Sequence, residues 1–277
     1  MTNTLLLCAR HELALAARSR WMHIFAAVFA ALSLGVAASG YILSGGRGIQ
    51  DFARTGASLV HLILLIVPLT AIVVGVLALT PDRGAAELLF SQPVARRAIL
   101  LGKLLGLFEA LAAAQAIGFG AAGLVIFWQG TGEGAARFAL VILASLVITG
   151  VFLSLAAIIA VGGSARSRTR ALALALVAWF AAVVFVDLAA LGVASMLRSG
   201  PASRVLISAV LINPVSALRT AALLSLEGTS AFGAASLALL RFTHGPFSAG
   251  LLLSASLVLW IVLPVTVAVR RLHNADI

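Results

Sequence analysis

Charge is scarce in this chain of 277 residues: Asp, Glu, Lys and Arg make up 10% of it, against about 25% in an average soluble domain. With 62% hydrophobic residues, a globule of this length could not cover its surface with polar groups. A soluble fold is excluded, and lipid must be the solvent for most of the surface. Cysteine is limited to Cys8, so no intrachain disulfide can form. Lysine is limited to Lys103. Catalytic signatures are missing as well. "HELAL" has Leu15 where a zinc protease needs its second histidine. "RAILLGKLL" has Arg97 in place of the first glycine of a P-loop and Leu104 in place of its Ser or Thr, so this chain cannot cradle ATP phosphates by that route. His11, His23, His61, His244 and His273 are scattered, and no metal site is expected. No nucleic-acid motif accompanies the net charge of +10. The first 20 residues, with their charges set between a short and a much longer apolar run, read as a retained amphipathic helix and not as a cleaved signal.

What the chain has is long apolar runs. A helix needs about 20 apolar residues to cross the hydrocarbon core. Six runs qualify: Met22 to Leu43, Leu59 to Leu79, Leu104 to Phe127, Phe138 to Val161, Ala171 to Met196 and Gly250 to Val269. The expectation is an all-α membrane protein, one polytopic domain over residues 1–277 with both termini on the same side. Of the 19 basic residues, twelve then fall on the side of the termini and seven on the other. The positive-inside rule makes the terminal side cytoplasmic, N-in and C-in. No internal repeat is visible, which weakens an inverted-repeat secondary transporter.

Residues 197–249 form the longest external segment. It holds two short apolar pieces, Val205 to Ile212 and Val215 to Leu226, parted by Asn213 and Pro214. Each is too short to span, and the proline argues against one continuous helix. They are expected to lie as helices at the outer membrane face; the alternatives are a re-entrant pair or a broken seventh span, which would move the C-terminus outside against Arg270 and Arg271.

The cytoplasmic segment 80–103 interrupts the apolar pattern. It carries Asp82, Arg83, Glu87, Gln92, Pro93, Arg96, Arg97 and Lys103. "AAELLF" favours a helix, and Pro93 breaks it. A short helix across the inner face is a docking shape, although an ordinary positive-inside loop has the same composition. Within the spans, Asp187 is either a coupling or substrate-path group or an interhelical hydrogen-bond partner. Glu109 reads as a polar contact to a neighbouring helix or to interfacial water. Gly102, Gly106, Ala112, Ala116 and Gly120 give a small-residue stripe suited to close helix packing.

The stretch "DRGAAELLFSQPVARR", followed by "LLGK", resembles the cytoplasmic coupling region of type-2 ABC exporter permeases. It departs from the usual pattern at Ala85, Ala86 and Ala95, changes that spare the helix and the charges. "ARHELALAARSRW" is similar to the amphipathic N-terminal helix of that family. "AWFAAVVFVDLAAL", with Asp187, and "LINPVSALR" resemble the fifth span and outer segment of its nitrous-oxide-reductase maturation permeases. The resemblance implies the type-2 exporter fold of six transmembrane helices per subunit in a homodimer, in a bacterial inner membrane. It implies no cofactor in this chain, with ATP and magnesium held by separate cytoplasmic NosF-like ATPase subunits. Asp82, Arg83, Glu87, Gln92, Pro93, Arg96 and Arg97 would couple to that ATPase. Asn213, Pro214 and Arg219 would contact a periplasmic NosD-like β-helical partner that takes part in assembling the copper sites of nitrous-oxide reductase. Rival readings are a type-2 permease for another solute or lipid, and a scaffold or secondary transporter that needs no ATPase.

Overall fold

The computed structural model describes residues 2–43, 52–80, 95–129, 132–162, 167–227 and 234–274. Every regular element among them is helical. In chain order these are α1 (Thr2–Ala17), α2 (Arg20–Leu43), α3 (Phe52–Leu79), α4 (Arg96–Gln129) and α5 (Gly132–Val161). Then come α6 (Arg168–Phe180), a π-helical turn (Ala181–Phe185), α7 (Val186–Ser195), α8 (Ser199–Ile212), α9 (Pro214–Glu227), α10 (Ala234–Thr243) and α11 (Pro246–Asn274).

Six helical stretches are long and apolar enough to cross a membrane: Arg20–Gly40, Thr55–Leu79, Arg96–Trp128, Ala136–Val161, Arg168–Ser195 and Pro246–Leu272. Each coincides with one of the six apolar runs. The third is longer than its run, because α4 starts at Arg96. Its 34 residues make a rod of about 51 Å against a hydrocarbon core of about 30 Å. Prolines Pro68 and Pro264 sit inside α3 and α11, where neighbouring helices can re-satisfy the freed carbonyls.

Packing follows the small residues and the aromatics. α2 and α4 lie side by side, as do α3 and α5. At the second contact a Cβ on Gly75 would come within 2.6 Å of Ala156 Cβ, so the helices approach as closely as glycine allows. Phe29, Phe119 and Phe138 stack edge to face in a ladder, with centroids 5.2 Å and 5.9 Å apart. Gln115 of α4 is buried, donates to Thr149 Oγ1 of α5 at 2.9 Å and accepts from Ser145. It joins the two helices where lipid offers no alternative partner.

The segment after the fifth span forms the two expected short helices, and they are packed against the bundle. α8 and α9 meet at a bend of 97°, and the bend is held deep in the bundle. Ser256 Oγ donates to Leu211 O at 2.6 Å and Trp260 Nε1 to Ile212 O at 2.9 Å. Trp260 lies about 21 Å along α11 from its first residue. α8 packs on α7, and α10 returns to pack on α8. The bent pair is thus packed against the bundle, and carbonyls at the bend are satisfied by side chains of α11.

Candidate functional site

Asp187 is the second residue of α7, directly after the π-helical turn. It lies about 12 Å along the helix from Ser195. Its Oδ2 accepts from Arg219 Nη1 at 2.6 Å. Its Oδ1 accepts from Ser216 Oγ and, at 3.5 Å, from Asn213 Nδ2. The same Asn213 amide donates to Ala182 O at 2.7 Å, inside the π-helical turn, and reaches Ser216 Oγ at 2.9 Å. Asn213 Oδ1 accepts from Val215 N at 3.1 Å. One asparagine thereby caps α9, fixes the bend and holds the turn of the fifth span.

The backbone is built for this. Asn213 is extended, at φ −91° and ψ 115°, as a residue before proline prefers. Pro214 opens α9, where its missing N–H costs nothing. The free N–H groups and dipole of that helix end favour an anion, and Asp187 supplies it. An isolated carboxylate within a bilayer costs about 2.5–3.5 kcal/mol. Here an arginine and two neutral donors offset that cost. Asn213 and Ser216 are buried, while the Asp187 and Arg219 side chains keep 25% and 31% exposure. Arg219 Nε is buried with no hydrogen-bond partner among the described residues.

Asp187 and the group Asn213, Pro214 and Arg219 were expected in two separate places, one within a span and one facing an external partner. They form a single cluster. Asn213 and Pro214 are buried inside the subunit. Ser216 was missed. Its signal was the spacing in "NPVSALR", where Asn213, Ser216 and Arg219 recur every three residues and so share one helix face.

A second polar cluster lies at the opposite end of the bundle. Lys103 Nζ is 3.4 Å from Glu12 Oε2 of α1 and donates to Ala78 O at the end of α3, at 3.0 Å. Glu12, 5% exposed, entered the sequence reading only as part of the failed zinc motif and of the N-terminal helix pattern. Arg168 Nη2 donates to Leu77 O at 2.9 Å and Arg96 Nη1 to Leu272 O at 3.3 Å. Arg168, counted only for orientation, and Arg96, expected at the coupling surface, thus cap the C-terminal ends of α3 and α11. Arg97 is exposed on the first turn of α4. Asp82, Arg83, Glu87, Gln92 and Pro93 lie outside the described residues.

The small-residue stripe divides into two uses. Gly102 and Gly106 receive α1: a Cβ on either would fall 2.7 Å and 2.3 Å from the carbonyls of Leu5 and Ala9. Ala112, Ala116 and Gly120 instead line a groove of about 590 Å³ between α4 and α5. Glu109 is exposed on α4 and has no hydrogen-bond or ion-pair partner among the described residues.

Six candidate spans, with a bent helix pair tied to the fifth by a part-buried ion pair, define a multi-pass membrane protein. The sequence model of the ABC-2 family transporter proteins matches residues 6–277, and the chain belongs to that family. A protein of Pseudomonas aeruginosa named "Probable ABC transporter permease protein NosY" is 34% identical over 261 residues, covering 92% of this chain and 90% of the relative. A protein of the same name from Stutzerimonas stutzeri is 32% identical over 244 residues, covering 83% and 85%. Membership places the chain in the inner membrane of a bacterium, as the membrane subunit of an ABC transporter.

Proposed function

We propose that this chain is a NosY-like permease subunit that couples ATP hydrolysis by a separate cytoplasmic ATPase to events at the periplasmic face, in maturation of the copper sites of nitrous-oxide reductase. The observation that carries the reading is the likeness to the two NosY proteins over more than four-fifths of every chain compared. The chain lacks a P-loop, so ATP and its magnesium belong to a partner resembling NosF. The subunit works as a homodimer, with both termini and the segment 80–103 in the cytoplasm. Asp82, Arg83, Glu87, Gln92, Pro93, Arg96 and Arg97 meet the ATPase there. At the other face a NosD-like β-helical protein docks on the exposed parts of the external segment, Arg204 on α8 and Arg241 on α10 among them. Arg219 belongs to that relay from within.

The Asp187 cluster gives the subunit a means of passing movement outward. A π-helical turn and a bend are the two places where these helices can change shape without losing whole ladders of hydrogen bonds. Asn213 and Asp187 tie them together, so a shift of the fifth span is delivered to α9. Deleting the gene in a nitrous-oxide-respiring host tests the reading. The reductase should then accumulate without its copper absorption bands, and the chain restored from a plasmid should bring them back. A reductase with full copper content in the deletion strain contradicts the maturation role.

A further inference from the structure

We infer that the Glu12–Lys103 ion pair is the joint through which movement at the junction of α3 and α4 reaches the first span. The inference rests on the permease reading above and names positioning residues for it. Lys103 touches three chain pieces at once: α4 by its own backbone, the end of α3 through Ala78 O at 3.0 Å, and α1 through Glu12 at 3.4 Å. The first two flank residues 81–94, so both ends of that connection are tied to one side chain. The third piece has no covalent route to the junction shorter than two spans.

The contact with α1 is close and specific. Gly102 and Gly106 bring the backbones of α4 and α1 together, with Leu5, Cys8 and Ala9 at the first and Ala9, Glu12 and Leu13 at the second. Four residues on one helix match four on the other, so the two run side by side in the same direction. Glu12 is buried between them, and Oε2 has no hydrogen-bond partner among the described residues apart from the Lys103 contact. A buried carboxylate held by one cation follows that cation, because separation leaves its charge uncompensated. α1 ends at Ala17 and α2 begins at Arg20. With so short a link, displacement of α1 becomes displacement of the first span. Lysine suits the post. Its single ammonium serves a carbonyl and a carboxylate in different directions, which a planar guanidinium does less readily.

The test uses the permease assembled with its ATPase in nanodiscs, spin-labelled on α2 at Leu34→Cys in a Cys8→Ser background. Label-to-label distances across the dimer are measured without nucleotide and with Mg-ATP plus vanadate. Glu12→Gln keeps the side chain's shape and removes its charge. We expect basal ATPase activity within about twofold of the parent, while the nucleotide-driven shift of the α2 labels falls by about fivefold or more, the lower end of ordinary coupling between sites. Lys103→Arg should retain part of the shift. Arg168→Gln, which removes a neighbouring cap at Leu77 without touching α1, should retain all of it. A full shift in Glu12→Gln overturns the inference, and so does an equal loss in Arg168→Gln. If Glu12→Gln is not recovered, Lys103→Met is measured in its place. Failure of both to insert, or loss of the ATPase subunits, makes the pair a folding or docking element and also overturns it. A parent that binds no ATPase removes the permease reading itself, a result distinct from a coupled parent with an unaffected variant.

Discussion

The two ionic joints of this subunit are built on opposite plans. At the Lys103 end, unbroken helices are pressed together and the charges are sparsely bonded. Glu12 is 5% exposed and meets one cation at 3.4 Å. Backbone contact at Gly102 and Gly106 supplies the rigidity. At the Asp187 end the helices are interrupted, by a π-helical turn on one side and a 97° bend on the other. There the carboxylate is surrounded by donors, and the hydrogen bonds replace what the broken backbone gave up. Packing holds the first joint and polar satisfaction holds the second. The first is suited to transmitting a displacement, the second to converting it.

That contrast can be broken most forcefully at Gly106. Gly106→Leu sets a branched side chain against the Ala9 carbonyl, which a Cβ alone already approaches to 2.3 Å. Overpacking of this kind costs about 1–3 kcal/mol or more. We expect the largest fall in thermal unfolding temperature in detergent from this substitution, with α1 becoming sensitive to protease. An unchanged melting curve would mean that α1 is not held by backbone contact.

Next in size is the ionic part of the second joint. Arg219→Met leaves Asp187 with neutral donors only, and removal of one partner of a fully buried pair costs about 3–5 kcal/mol. Partial exposure reduces this to about 1–3 kcal/mol, since solvent screens the charge. Asp187→Asn together with Arg219→Met should recover much of the loss. A double-mutant cycle from chemical unfolding measures the coupling, and additive losses would show that the two residues act independently.

Asn213→Ala removes an N-cap and the amide that holds Ala182 O. A lost cap costs about 1 kcal/mol. The expected signature is local: faster amide hydrogen exchange at the first turn of α9 and around Ala182, with the Lys103 end unaffected. Uniform acceleration over the whole chain would argue against a local hinge.

The smallest stability effect is expected from reversing Glu87 and Arg97 together, with the Arg96 cap on Leu272 O left in place, because a charge exposed as Arg97 is contributes about 0–1 kcal/mol. This variant should insert and melt almost normally yet lose its ATPase in pull-down. Retention of the ATPase at full stoichiometry would remove these residues from the docking surface.

The six spans were legible because crossing a bilayer imposes a run length that no local preference overrides. The joints were legible only in pieces. Asp187 and Arg219 each stood out as charges in unusual places, but their pairing across 32 positions depends on how α9 packs against the bundle. That placement is set by Ser256 and Trp260, side chains that look ordinary in an apolar run. The bend itself was announced by Asn213 and Pro214. Glycines Gly102 and Gly106 signalled a close helix contact, and the sequence held no sign that α1 was the partner. Glu12 was hidden for a different reason: on a short amphipathic helix a carboxylate is usually solvated, and only the packing shows this one turned inward.

The central claim, that this chain is the membrane half of an ATP-driven machine, is tested most directly by purifying it from membranes co-expressing the cognate ATPase and measuring subunit mass and ATP hydrolysis together. The account predicts a complex of two permease and two ATPase chains in which Mg-ATP hydrolysis depends on the ATPase and not on this chain. A permease that purifies alone from such membranes, with no ATPase bound under any nucleotide condition, would contradict it.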